Sequence, residues 1–308
     1  MSSATPRSTI ATLAAGQWGL FSAAQATSLG VTRMTLSRIV SSGELVRVVH
    51  GVYATPSAVM DARVDTRAAW LATDPSRTTD QRLAQPHLSG VISHASAAAL
   101  HQIGNILDSR VDITFPGRHQ SRRIEVQLHR AELRRDDVTH IDGLPVTTPE
   151  RTLADLVVAG HDREHISQAL ADAVDQHLTS PERVRSALAR QIGDAAADGV
   201  MDDLLPWAGL DQESLVERLF TSAVVQRAFA DAFALGVERF SKAVNSNDDP
   251  LGQEMTDRRQ RSSMDAATVA RTLASPAVRD LVVNLVFKPT KDLTDDSLRR
   301  ALQTMQIA

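Results

Sequence analysis

The chain contains no cysteine. That excludes disulfide bridges, thiolate zinc sites and a cysteine nucleophile together, and it fits a reducing, cytoplasmic setting. No run of about 18 apolar residues occurs, so no membrane-spanning helix is expected. The first residues, Met1-Ser-Ser-Ala-Thr-Pro-Arg7, lack the apolar core of a secretion signal. There is no P-loop and no glycine-rich dinucleotide fingerprint, so no nucleotide cofactor is expected. His94, His101, His119, His129 and His140 are scattered without metal-ligand spacing. Each reads as a surface or satisfied core histidine, and no metal is expected. No cofactor is expected either, and no catalytic residue stands out.

Acidic residues are scarce at one end. Residues 1–55 hold Arg7, Arg33, Arg38 and Arg47 against the single acid Glu44, while residues 194–308 hold 13 bases against 18 acids. A basic head on an acidic body, in a chain of net charge -4, is the asymmetry of a module that meets a polyanion.

The head has a definite pattern. Residues 8–15 read as a short helix ending at Gly16. Ser22 caps a second helix over 23–28, and Leu29-Gly30-Val31 makes a tight turn. Thr32 caps a third helix that runs to about Ser42 and stops at Gly43. Residues 45–49 and 52–54 are β-like and joined at His50-Gly51. This order, three helices and then a two-stranded wing, predicts a winged helix-turn-helix. In the third helix Leu36, Ile39 and Val40 share the inward face. Met34, Ser37, Arg38 and Ser41 point away, with Arg33 and Thr35 on the flanks. That exposed set has hydrogen-bonding groups and no acid, which suits a helix entering a major groove. Arg33, Ser37 and Arg38 are expected to read or clamp DNA. Thr32, at the helix N-terminus, is placed for a phosphate, and Arg47 and His50 for the backbone or minor groove from the wing.

After Pro56 the pattern turns mixed. Helices are expected over 58–73, 94–103, 149–159, 162–177 and 180–191, strands over 111–115 and 124–128 with another ending near Val146, and a loop over 74–89. From Asp194 onward only helix-like stretches and polar loops are seen. Leu215 to Val244 carries apolar residues at helical spacing, and 245–264 are polar. The expectation is an α+β chain, predominantly helical, divided as 1–56, 57–193 and an all-helical 194–308.

A second basic stretch contains Arg118, Arg122, Arg123, Arg130, Arg134 and Arg135. It reads as a solvated loop and strand edge whose arginines pair with Asp136 and Asp137, or as a second nucleic-acid surface, and the first reading is preferred. Asp112 with Glu125-Val-Gln127 faintly resembles the acid pattern of metal-dependent nucleases, with glutamine where lysine is usual. Arg151 and Asp155 have the spacing of an i, i+4 pair that holds a helix.

Several of these segments resemble one family. Gly19-Leu-Phe-Ser22, Gly30 to Val40, and Ser42 to Gly51-Val-Tyr53 are similar to the N-terminal domain of AbiEi-type antitoxins of bacterial abortive-infection systems. The likeness continues in Ser93 to His101, His129-Arg-Ala-Glu-Leu133 and Asp142-Gly-Leu-Pro-Val-Thr-Thr-Pro-Glu-Arg-Thr-Leu-Ala-Asp155, and spans roughly residues 8–192. It implies a transcriptional autorepressor, not an enzyme, whose winged domain binds inverted repeats in double-stranded DNA upstream of its own operon. It implies an antitoxin-like central domain and a nucleotidyltransferase-like toxin encoded next door, which need not touch the antitoxin. The DNA-contacting helix would fall on Thr32 to Ser41 and the wing on Arg47 to Tyr53. Two rival readings stand beside it: a module that binds a toxin or host factor directly, and a winged nuclease that depends on Asp112 and Glu125.

Overall fold

The structure, a computed structural model, describes residues 5–106, 108–221 and 227. Its first helices begin where side-chain caps satisfy free amides. Thr5 Oγ1 accepts from the Ser8 amide to open α1 (Pro6–Ala15). Ser22, the last residue of strand β1 (Leu20–Ser22), forms a capping box with Gln25 that opens α2 (Ala23–Ser28). Thr32 caps α3 (Arg33–Ser41) by accepting from the Thr35 amide at 3.2 Å. Strands β2 (Val46–Val49) and β3 (Val52–Ala54) come after it. They form an antiparallel sheet ordered β1-β3-β2. The unit closes over Ile10, Ala14, Phe21, Ala26, Val31, Leu36, Ile39 and Leu45. Strand β1 is an addition to the expected elements.

This head is bound to residues 67–79 of the body. Trp18 meets Trp70 edge-on at 6.0 Å, and the Arg67 guanidinium lies 5.1 Å above the Trp18 ring. Gln17 Oε1 accepts from the Thr79 amide at 2.9 Å, and the Gln25 amide donates to the Arg77 carbonyl at 2.7 Å.

The body is a mixed five-stranded sheet with helices against it. A 3-10 turn at Ala58–Met60 precedes α4 (Val64–Thr73), so the helix expected over 58–73 is broken at its start. Residues 74–89, expected as loop, contain α5 (Thr79–Leu83) and a second 3-10 turn at Pro86–Leu88. The cause is Arg82, fully buried with its guanidinium 3.4 Å from the Trp70 ring centroid. Its Nε and Nη2 donate to the Ser89 carbonyl at 3.2 and 2.6 Å, and its Nη2 to Thr73 Oγ1 at 3.2 Å. Burial, only partly offset by the nearby Asp74 and reinforced by Arg77, lowers its pKa to about 9.

Next come β4 (Val91–Ile92), α6 (His94–His101), β5 (Val111–Phe115), β6 (Val126–Arg130), β7 (Val138–Ile141) and β8 (Leu144–Thr147), in sheet order β6-β5-β4-β8-β7. The strand expected at 124–128 begins two residues later. Pairs β5–β6 and β4–β8 are parallel, and β4–β5 and β7–β8 antiparallel. Helices α7 (Pro149–Val158), α8 (Arg163–Asp175), α9 (Pro181–Ile192) and α10 (Asp194–Trp207) complete the body. The boundary expected after residue 193 falls between α9 and α10, yet α10 packs back on α8 and α9.

Gly90 shows how tightly the sheet is closed. Its φ is +86°, and a Cβ there would lie 2.5 Å from the Phe115 ring. Gly90→Ala is therefore expected to cost about 1–3 kcal/mol. Urea unfolding with an unchanged midpoint would contradict this.

The chain divides into two compact units, Met1–Ala208 and Gly209–Ala308. Of the second, the structure describes α11 (Gln212–Thr221), where Asp211 Oδ2 accepts from the Glu213 and Ser214 amides at 3.1 and 3.3 Å. Most of the apolar pattern expected over 215–244, and all of the polar stretch 245–264, lie outside the described residues.

Candidate nucleic-acid interface

Helix α3 turns Leu36 and Ile39 inward, where both are buried, and leaves Val40 half-buried. Thr32, Arg33, Met34, Ser37, Arg38 and Ser41 are exposed. Thr35 is half-buried, its hydroxyl 3.0 Å from that of Thr32. Met34 is 66% exposed, a large apolar side chain that no packing requirement explains. Arg38 lies along the helix, its Nη2 donating to Met34 Sδ at 3.5 Å. Among the described residues no carboxylate pairs with Arg33 or Arg38.

The one acid of the head is occupied elsewhere. Glu44 takes both donors of the Arg7 fork at 2.7 Å and the Ser42 hydroxyl at 2.8 Å. The Arg7 hydrogen bonds, then that of Ser42, lower its pKa to about 2. So Glu44 stays anionic but neutralised by Arg7, and the outer face of α3 keeps its cationic character.

The hairpin carries Arg47 and His50, both exposed, with Arg47 Nη2 against His50 Nδ1. Gly51, at φ +76°, makes the turn, and its carbonyl accepts from the Ala23 amide at 2.8 Å. The hairpin is thereby held to the start of α2. The His50 carbonyl accepts from Arg123 Nη1 at 2.9 Å, which ties the second basic stretch to the hairpin turn.

That stretch does not pair as expected. Asp137 is buried and takes Arg151 and Arg190, from α7 and α9, while the loop gives it only the Arg134 backbone amide. Among the described residues no ion pair joins Arg118, Arg122, Arg130 or Arg135 to Asp136. Arg123 is the exception among the arginines of this stretch, 3.3 Å from Glu125. Arg118, Arg122 and Arg130 are exposed.

The nuclease-like acids do not converge. Asp112 is buried, its Oδ1 receiving His129 Nε2 at 2.7 Å, whereas Glu125 is engaged by Arg123. Among the described residues no group of three His, Asp or Glu side chains is placed to hold a metal ion. The histidines assemble more than their spacing suggests. His94 and His129 stack with centroids 3.7 Å apart, and His94 Nδ1 lies 2.9 Å from Ser93 Oγ. Asp112 and His129 sit two positions out of direct register on the parallel strands β5 and β6. Reading that diagonal from sequence required knowing the pairing. His101 and His119 reach the Thr147 and Thr73 carbonyls at 2.7 and 2.9 Å, and His140 is exposed.

Residues 5–56 are thus a basic three-helix unit with an attached hairpin and an outer helix face free of acids. Residues 8–56 match the family model described as "Transcriptional regulator, AbiEi antitoxin". The crystal structure of the RV2827C protein from Mycobacterium tuberculosis is similar over 65% of this chain and 76% of that chain, at 20% sequence identity and a TM-score of 0.44. No curated protein matches the chain. Among the described residues no helix is long and apolar enough to cross a membrane.

Proposed function

We propose that the chain is a DNA-binding transcriptional regulator whose head acts as a winged helix-turn-helix. In this reading it represses its own operon at inverted repeats and serves as the antitoxin to a nucleotidyltransferase-like toxin. The acid-free outer face of α3, inside the segment that matches the regulator family, carries the reading. Arg33, Ser37 and Arg38 are at the base edges or the flanking phosphates, with Met34 available for thymine methyl groups. Thr32 and Ser41 bound this face, Thr35 flanks it, and Arg47 and His50 hold the adjacent backbone.

The test is a gel shift with the DNA upstream of the gene, at two salt concentrations, against a scrambled duplex. Specific binding that weakens steeply with salt is expected. Arg38→Ala is expected to weaken it by about 1–3 kcal/mol if the guanidinium grips a guanine edge. Unchanged affinity would remove Arg38 from the interface. Binding of the neighbouring gene product with no shift of any DNA would replace this reading by a protein-interaction module.

A further inference from the structure

We infer that the segment from Pro116 to Glu125 is a second phosphate clamp, fixed rigidly beside the hairpin, that extends the DNA contact beyond the reach of α3. The inference rests on the DNA-binding reading above and concerns a part of the surface which that reading leaves unused.

The segment has no regular structure between β5 and the start of β6, yet it is pinned at three points. His119 stacks on Phe115 with centroids 4.2 Å apart, 5° from parallel. The same ring hydrogen-bonds through Nε2 to the Thr73 carbonyl at the end of α4, at 2.9 Å. Further on, Arg123 Nη1 donates to the His50 carbonyl at the hairpin turn. Arg123 is thus a strut whose charge is met by Glu125. Arg118 and Arg122 stand outside these pins and are exposed. With the Gln120 carboxamide turned to its hydrogen-bonding orientation, its oxygen accepts from Arg118 Nη2 and Nε at 2.7 and 3.3 Å. Among the described residues no hydrogen bond or ion pair holds Arg122.

Between the segment, the hairpin turn and the end of α4 runs an open groove of about 530 Å³, with His50, Thr73, His119, Arg122 and Arg123 among its walls. The groove is open rather than enclosed; Arg122 lines it while Arg118 stands outside it, so the two exposed arginines do not converge on one point. That arrangement suits a polyanion lying along the surface more than a small enclosed anion. Phosphodiesters of a duplex whose neighbouring turn is held by Arg47 and His50 are the ligand with matching charge and continuity. Arg123 acts through position: it sets where Arg122 stands relative to the hairpin.

The experiment compares the full chain with Arg118→Ala/Arg122→Ala and with Arg33→Ala/Arg38→Ala, by fluorescence anisotropy on the upstream duplex and a scrambled one across a salt series. Both exposed pairs leave the fold intact, which circular dichroism checks. The Arg118/Arg122 variant is expected to bind both duplexes on the order of tenfold more weakly, and to reduce the log–log salt slope by about 1–2. Its ratio of specific to scrambled affinity stays as in the parent chain. The Arg33/Arg38 variant loses that ratio. A parent-like slope in the Arg118/Arg122 variant, with the ratio still lost in the other, overturns the second clamp and leaves the α3 reading standing. No DNA binding by the parent chain overturns both. A last arm heats parent and Arg118/Arg122 variant with inorganic pyrophosphate. Stabilisation of the parent alone, with unchanged duplex slopes, reassigns the groove to a small anion and overturns the proposal.

Discussion

Replacing Arg151 with alanine is expected to destabilise the first unit by about 3–5 kcal/mol, an effect that few single substitutions reach. The guanidinium is 7% exposed and lies between two carboxylates that are each 4% exposed. Nε donates to Asp155 Oδ1 at 2.8 Å and Nη1 to Asp137 Oδ2 at 3.2 Å. Removing one partner of a buried pair is costly because the charge left behind has neither water nor a counter-ion. Asp137 would keep Arg190, from the end of α9. Asp155 would keep only the Gln191 amide at 3.0 Å, and its Oδ2 already lacks a partner. Burial raises the Asp155 pKa even with Arg151 beside it, so without Arg151 the carboxyl is driven further toward its neutral form. Arg151→Lys should recover little, since one ammonium cannot match two carboxylates through a planar fork. Urea unfolding of Arg151→Ala and Arg151→Ala/Asp155→Ala measures this. The double variant should regain part of the loss. A single variant within about 1 kcal/mol of the parent would show that the pair is not what holds α7 in place.

The i, i+4 half of that network is legible in the sequence, because Arg151 and Asp155 are one helical turn apart. The Asp137 half is not, since it depends on how the 3-10 turn at Arg135–Asp137, before β7, packs against α7 and α9. The same division recurs across the chain. Helix α3 can be read from a local cap at Thr32 and the spacing of Leu36 and Ile39. Strand β1 cannot, because three residues acquire their conformation only by pairing with β3. The segment 74–89 reads as loop from its polar composition. It folds because Arg82 finds carbonyl acceptors and the Trp70 ring, none of which the local sequence announces. The exposed face of α3 follows from periodicity. The bond from Arg123 to His50 spans 73 positions and has no local signature.

The other large effect is a loss of stability on acidification, centred on His94. The residue begins α6 at φ +49°, a left-handed conformation uncommon outside glycine and asparagine, and is 8% exposed. Burial first, then the neighbouring His129, His161 and Arg151, depress its pKa from 6.5 to about 3. In the unfolded chain the imidazole takes its proton near pH 6.5, whereas the folded chain refuses it until about pH 3. Between those limits the unfolded state binds more protons. Stability is therefore complete above pH 6.5 and declines as pH falls toward 3, by about 1.4 kcal/mol per unit at most and on the order of 4 kcal/mol in all. His101, also lowered by burial, acts in the same direction, and the raised pKa of Asp155 opposes it. His94→Asn removes the titrating ring and tolerates the left-handed backbone. It should be less stable than the parent at pH 7.5, through loss of the stack on His129, yet lose less on going to pH 4.5. Unfolding midpoints across that range decide the matter. Parallel curves for parent and variant would mean that the acid sensitivity comes from elsewhere, whereas curves that converge at low pH assign it to the proton that His94 is kept from binding.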